Sequence, residues 1–373
     1  MKKSIVVVLI LAAAYLAATG LTGLSFGRHI EALTHRLATE ENIQIQRLTY
    51  DRGFFGGKLH YEIAFRPAAA EWLAPLLQDP APLLEATAAG DAETPTAWIH
   101  LAGTADVRHG PLPGGTAIAM GRITADLPLP EQLSAPLPAL PSHQPVLEST
   151  TTVGFNGTTR TTFKGMPYAG PIHIPQGEAT DPQLNLELQD WSGAITINAR
   201  RDRLGINVQI GHLALTLTEN GAPATLGLSG LHLEALNTKR HDRFWTGDGR
   251  CTMEELFFRD QKAQESIKAL AVATDHTFNE TRFDNTLTIS TGPITTKDLE
   301  LGGFQCGLTI ADVDVGAYET LLRLLQVKQW VDHATPGDEA LSAAAIESIQ
   351  QLFAAGLTLT IDPLRFDVVS QAE

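Results

Sequence analysis

The chain has 373 residues, with 42 Asp plus Glu against 27 Lys plus Arg and a net charge of -15. A surface of that sign repels the phosphates of nucleic acids and of anionic lipid headgroups, so DNA and RNA are set aside as partners. The two cysteines are too few for a disulfide-built scaffold.

Lys2 and Lys3 precede an uncharged run from Ser4 to Phe26, closed by Arg28 and His29. As a helix, its 23 residues span roughly 34 Å, enough to cross a bilayer with some tilt. Residues 1–26 therefore predict a transmembrane helix that stays attached as a signal-anchor. The two lysines favour a cytoplasmic N-terminus by the positive-inside rule, with the bulk in the periplasm. The rival readings are a cleaved secretory signal with a poor small-residue site at Ala17-Ala18-Thr19, and a buried helix in a soluble fold.

Residues 27–127 read as a stem, a hairpin and first strands. Ile30, Leu33 and Leu37 recur at helical spacing and predict an amphipathic stem over 27–40. Residues 43–66 predict a β-hairpin turning at Asp51-Arg52-Gly53, with Leu59, Tyr61, Ile63 and Phe65 alternating after it. The Ala/Pro-rich stretch 67–96 reads as a short helix or a loop, and strands follow near 97–108 and 115–127. Residues 128–147 are proline-rich and predict a linker, or a loop packed along an edge.

From 148 to the C-terminus the chain predicts a large sheet. Leu204, Ile206, Val208 and Ile210 alternate with polar residues, then the phase slips to Leu213, Leu215 and Leu217. The same three-residue step recurs from Leu228 to Leu231, across Ser229-Gly230, and from Met253 to Leu256. Two readings stand: β-bulges that keep one oily face inward, or tight turns between short strands. The bulge reading gives a long, curved antiparallel sheet.

Two helices, at about 316–333 and 337–355, are expected to pack on that sheet. Their stripes are Tyr318, Leu321, Leu322 and Leu325, then Leu341, Ala345, Ile349, Leu352 and Phe353. A last strand runs from Leu357 to Val368. The expected fold class is mainly β (α+β).

Several motifs resemble those of the YdgA-like family of Gram-negative envelope proteins. They are the Lys-Lys anchor, the stem Phe26-Gly27-Arg28-His29-Ile30-Glu31 and the hairpin Tyr50-Asp51-Arg52-Gly53-Phe54-Phe55. His109-Gly110-Pro111, Trp191-Ser192-Gly193 and Ile361-Asp362-Pro363-Leu364 extend the likeness over most of the chain. The resemblance implies an inner-membrane anchor, a periplasmic domain and a family without an assigned activity. Many members continue well past the Ile-Asp-Pro-Leu strand, which would make this a short or truncated member.

No P-loop, C-x-x-C or H-E-x-x-H occurs in the sequence, and Gly227-Leu228-Ser229-Gly230 lacks the spacing of a nucleophile elbow, so no catalytic residue, metal ligand or cofactor is assigned. Asp312 and Asp314 alternate as a cation pair would, or as an exposed acidic face does. His212 and His232 each sit beside a phase slip. Lys239-Arg240-His241-Asp242-Arg243 is either a solvated loop or a phosphate-pairing cluster. Arg52, Gly53, His109, Gly110 and Pro111 read as structural corners, with His109 the one imidazole presented at a sharply defined turn. Cys251 and Cys306 either form a disulfide or pack as separate thiols.

The leading expectation is a non-enzymatic envelope protein that binds an apolar ligand, such as a lipid, or a periplasmic protein partner with its one-sided sheet. The alternative is a structural or assembly factor with a filled core. An enzyme with an unrecognised site is the third class.

Overall fold

The computed structural model describes residues 14–28, 30–31, 43–65, 98–115, 118–130, 137–140, 145–173, 183–219, 221–240, 245–279, 281–297, 300–318, 320, 346–347, 349–354 and 356–368. Its strands belong to one antiparallel sheet, so the mainly-β expectation holds. The chain divides into two compact units: Met1–Ala199 with Ile210–Leu226, and Arg200–Gln209 with Gly227–Glu373.

The first unit is a meander. Strands β1 (Ile43–Arg52), β2 (Gly56–Phe65), β3 (Ile99–His109), β4 (Gly121–Pro128), β5 (Pro145–Val153) and β6 (Thr159–Gly165) pair in sequence order. β7 (Tyr168–Ile172) and β8 (Gln183–Ile197) follow, with β8 pairing both β6 and β7. The hairpin of residues 43–66 forms as its alternation predicts, with Tyr50 opposite Leu59 and Leu48 opposite Tyr61. The resulting face gathers Leu59, Ala105, Val107 and Val153 into a buried cluster. Trp191 lies against Phe163 at 6.3 Å between rings, and its indole N–H donates to the Met166 carbonyl at 2.9 Å.

A helix over residues 14–28, here α1, covers that face. Thr19 and Phe26 are 0% exposed, and Gly23 and Ile30 are also buried. The spacing 19, 23, 26, 30 puts them on one side of a helix. The described helix is short, so the predicted transmembrane helix is not supported. Residues 4–13 lie outside the described residues, and of residues 19–26 it is Thr19, Gly23 and Phe26 that face protein, while Leu21 and Leu24 are exposed. No helix among the described residues is long and apolar enough to cross a membrane. Most of the predicted 27–40 stem, the 67–96 segment and much of the 128–147 linker also lie outside the described residues.

β9 (Arg203–Glu219) and β10 (Ala222–Lys239) are single long strands, as is β11 (Trp245–Arg259). All three phase slips fall inside them, so the tight-turn reading fails; across Met253–Leu256 the register against β12 (Gln264–Asn279) runs on unshifted, so that step inserts no bulged residue. Gly230 has φ +61°, a left-handed conformation that glycine adopts without steric cost. Across from the Met253–Leu256 step, Ala269 takes φ +49°.

The second unit continues through β12 (Gln264–Asn279), β13 (Arg282–Thr291), β14 (Ile294–Thr295), β15 (Glu300–Asp314) and β16 (Thr358–Val368). β15 pairs with β13 on one side and β16 on the other. Of the two predicted helices, only residues 315–318, 320, 346–347 and 349–354 are described, all helical. The first starts on a cap, since Asp314 Oδ1 accepts from Ala317 N at 2.9 Å. Leu352 is buried with Phe283, Val313 and Val315, but Ile349 and Phe353 are exposed. Among the described residues of the second stripe, Leu352 is buried where Ile349 and Phe353 were expected to be buried too.

Candidate functional site

The hairpin corner and the His-Gly-Pro turn, far apart in sequence, meet beneath α1. Gly53 N donates to Gly56 O at 2.6 Å and closes the β1–β2 turn. Arg52 Nη2 donates to the Gly20 carbonyl of α1 at 3.4 Å, tying hairpin to helix. His109 N bonds Phe55 O at 3.1 Å, and Gly110 N bonds Met120 O at 3.2 Å. Gly110 sits at φ +124°, where a side chain would be strained and would also meet Thr19. Pro111 follows in the same turn.

His109 is the centre of this arrangement. Its side chain is 2% exposed, and Nε2 lies 3.2 Å from the Gly53 carbonyl. A carbonyl only accepts, so Nε2 carries the proton and donates. Burial holds the imidazole below its ordinary pKa; the Gly53 and Thr19 carbonyls oppose that and the Arg52 charge adds to it. The ring is therefore neutral at pH 7. Tyr50 stands edge-on at 6.5 Å, and burial pushes its phenol up to about 12, with Arg52 pulling the other way. A Cβ on Gly23 would fall 2.5 Å from His109 Cε1, so the ring fills the notch that this glycine leaves. A neutral imidazole donating to a backbone carbonyl, beside a protonated tyrosine and a helix notch, fastens three segments together. Arg52, Gly53, His109 and Gly110 are thus brought together as a clamp.

The other candidates separate. Asp312 accepts from Arg282 Nη1 at 3.3 Å, while Asp314 caps a helix, so the two acids do different work. Among the described residues no cluster suits a metal ion. His232 faces Asn207 Nδ2 at 3.0 Å and Glu234 at 3.5 Å, and His212 stands 4.0 Å from Glu187. Of the basic cluster, Arg240 donates to Thr246 Oγ1 at 3.2 Å and stacks over Phe278, while residues 241–244 lie outside the described residues.

Cys251 and Cys306 are both free thiols. The register explains why. Cys251 opposes Val272, Val272 opposes Ile289, and Ile289 opposes Cys306. Three strand spacings of about 4.8 Å put them roughly 14 Å apart, against the 7 Å or so that a disulfide tolerates. The bridge does not form in this structure.

That same row was missed from sequence and is chemically informative. It continues to Leu364 on β16, which makes five apolar residues side by side on one face: Cys251, Val272, Ile289, Cys306 and Leu364. On β16 the apolar side chains stay in the open. Leu364 and Phe366 are both 59% exposed, and Leu359 and Ile361 are close to that. The alternation in Leu357–Val368 was legible; that its apolar side is exposed was not.

No curated protein matches this chain, and no solved structure does. A family of bacterial proteins of unknown function, DUF945, matches residues 1–370, and the chain belongs to that family.

Proposed function

We propose that this is a membrane-tethered, non-enzymatic envelope protein whose second unit offers an apolar sheet face to a lipid-like ligand. The observation that carries the reading is the row Cys251–Val272–Ile289–Cys306–Leu364, ending in the exposed Leu359, Ile361, Leu364 and Phe366 of β16. Apolar side chains left exposed as a contiguous strip are a binding surface or a liability. The tether is the apolar sequence Ser4–Ala18, which precedes the docked part of α1. The likeness to YdgA-like proteins supports an inner-membrane tether with the bulk in the periplasm.

Native mass spectrometry of the gently purified full chain tests this. A co-purifying lipid that is lost in the Ile361→Glu/Phe366→Glu variant is the expected result. A clean apo mass in the unmodified chain overturns the lipid reading. One observation favours a protein partner instead: among the described residues β16 pairs only with β15, which leaves its outer edge open to an added strand. A clean apo mass together with a stoichiometric co-purifying protein would select that structural role.

A further inference from the structure

In the first unit, the three described connections β1–β2, β3–β4 and β5–β6 lie at one end of the meander, because consecutive strands alternate direction. Each carries large apolar side chains in the open. Phe54 and Phe55 are 53% and 55% exposed, Leu112 45%, Ile118 81% and Phe155 55%. None of the connecting residues 53–55, 110–120 and 154–158 is charged. The N-terminal end of α1 arrives at the same place: Tyr15 lines one depression with Phe55, Leu112, Arg108 and His109. So the start of α1 lies beside the β1–β2 and β3–β4 tips.

Just below the tips stands a basic row. Arg108 opposes Arg122, Arg122 opposes Thr152, and Thr152 opposes Arg160. Directly opposed residues share a face of the sheet, so three arginines project from one side within roughly 15 Å. The row runs from Gly56 to Thr196 and contains no acidic residue, in a chain of net charge -15.

We propose that this end of the first unit is a membrane-docking surface: the apolar tips enter the interface of an anionic bilayer and the exposed Arg108 and Arg160 pair with its phosphate headgroups. The inference rests on the tethered reading above and specifies how the tether is completed. Thr19, Gly23 and Phe26 are held by protein, so the tether has only Ser4–Ala18 to offer. Even fully helical, those residues reach about 22 Å, against about 30 Å of hydrocarbon. Sinking the tips roughly 5–10 Å into the boundary between headgroups and acyl chains makes up that shortfall. The outer side of α1 suits the same setting, since Leu16, Leu21 and Leu24 are exposed.

The test uses the full chain with Cys251 and Cys306 replaced by serine, reconstituted into phosphatidylethanolamine/phosphatidylglycerol vesicles. Single cysteines replace Phe55, Leu112, Phe155 or, as a control on the β5 stem, the exposed Glu148. Each is labelled with an environment-sensitive fluorophore and challenged with spin-labelled lipids. Quenching and a blue shift at the three tips, with neither at position 148, are expected. Because every tip is exposed, each labelled site is an independent trial that leaves the core untouched. Replacing Arg108 and Arg160 with glutamine should lower the inserted-to-withdrawn ratio about fivefold per arginine, and only when phosphatidylglycerol is present. Protein that floats with the vesicles while its tips stay unquenched overturns the docking surface and leaves the tether standing. Protein that does not float overturns both. Quenching that ignores phosphatidylglycerol and both arginines overturns the headgroup pairing.

Discussion

Replacing Phe26 by alanine tests whether α1 is a docked element of the first unit. The side chain is 0% exposed and lies among Ile30, Leu59, Val107 and Val153, with its ring edge-on to Tyr50 at 5.8 Å. A phenylalanine buries about 200 Å², and at about 25 cal/mol per Å² its removal forfeits about 5 kcal/mol of transfer free energy. Measured Phe→Ala changes in protein cores, cavity included, run about 3–5 kcal/mol. At 1.4 kcal/mol per decade that is a shift of roughly two to three and a half decades in the docking equilibrium. The loss should appear first as local opening. Hydrogen exchange by mass spectrometry should show faster exchange in the peptides covering 14–28 and the turn at Gly110–Met120, while β12–β15 keep their protection. Denaturation of the same variant gives the free energy. A change below about 1 kcal/mol, with exchange at 14–28 unaltered, would refute the docked helix and return those residues to the membrane.

Two glycines of α1 should respond in opposite senses to alanine. Gly20 has nothing within 4 Å of an added Cβ, so Gly20→Ala should stabilise by about 0.5–1 kcal/mol through helix propensity, read as a higher melting temperature. Gly23→Ala drives a methyl into the His109 ring, 2.5 Å from Cε1, and should destabilise by about 1–3 kcal/mol in the same assay. His109 adds a pH dependence of known sign. Its folded pKa is lowered from 6.5, so between the folded and unfolded values the unfolded chain binds more protons. Its contribution is full above about pH 6.5 and declines as pH falls toward the folded value. Melting temperatures of the parent and of His109→Asn should therefore converge as pH is lowered from 7.5 to 5.5; parallel curves would remove His109 as the source.

Period-two alternation was enough to place the hairpin at 43–66 and a succession of strands from about 148 to 314, because side chains on a strand obey a purely local geometry; that β9 to β13 are long came from the folded sheet. The phase slips were visible too, but whether Leu228 to Leu231 turns the chain back or continues one strand depends on the partner strands, and only the folded sheet showed it to lie within β10. Hydropathy read residues 4–26 as one span, since a helix that buries one face on protein and exposes leucine on the other has the same composition as a helix in lipid. The buried stripe Thr19, Gly23, Phe26, Ile30 exists only because the Val107–Val153 face is there to receive it. Net charge predicted repulsion from anionic lipid, whereas strand register sets Arg108, Arg122 and Arg160 in one row and leaves the acids elsewhere. The same register holds Cys251 and Cys306 apart. The sequence by itself determined the mainly-β class, the hairpin corner and the absence of P-loop, C-x-x-C and H-E-x-x-H motifs, because these follow from residue type and short spacing. Tertiary structure alone decided what lies opposite what, because cross-strand neighbours are chosen by the packing of the whole sheet and leave no short-range signature in the chain.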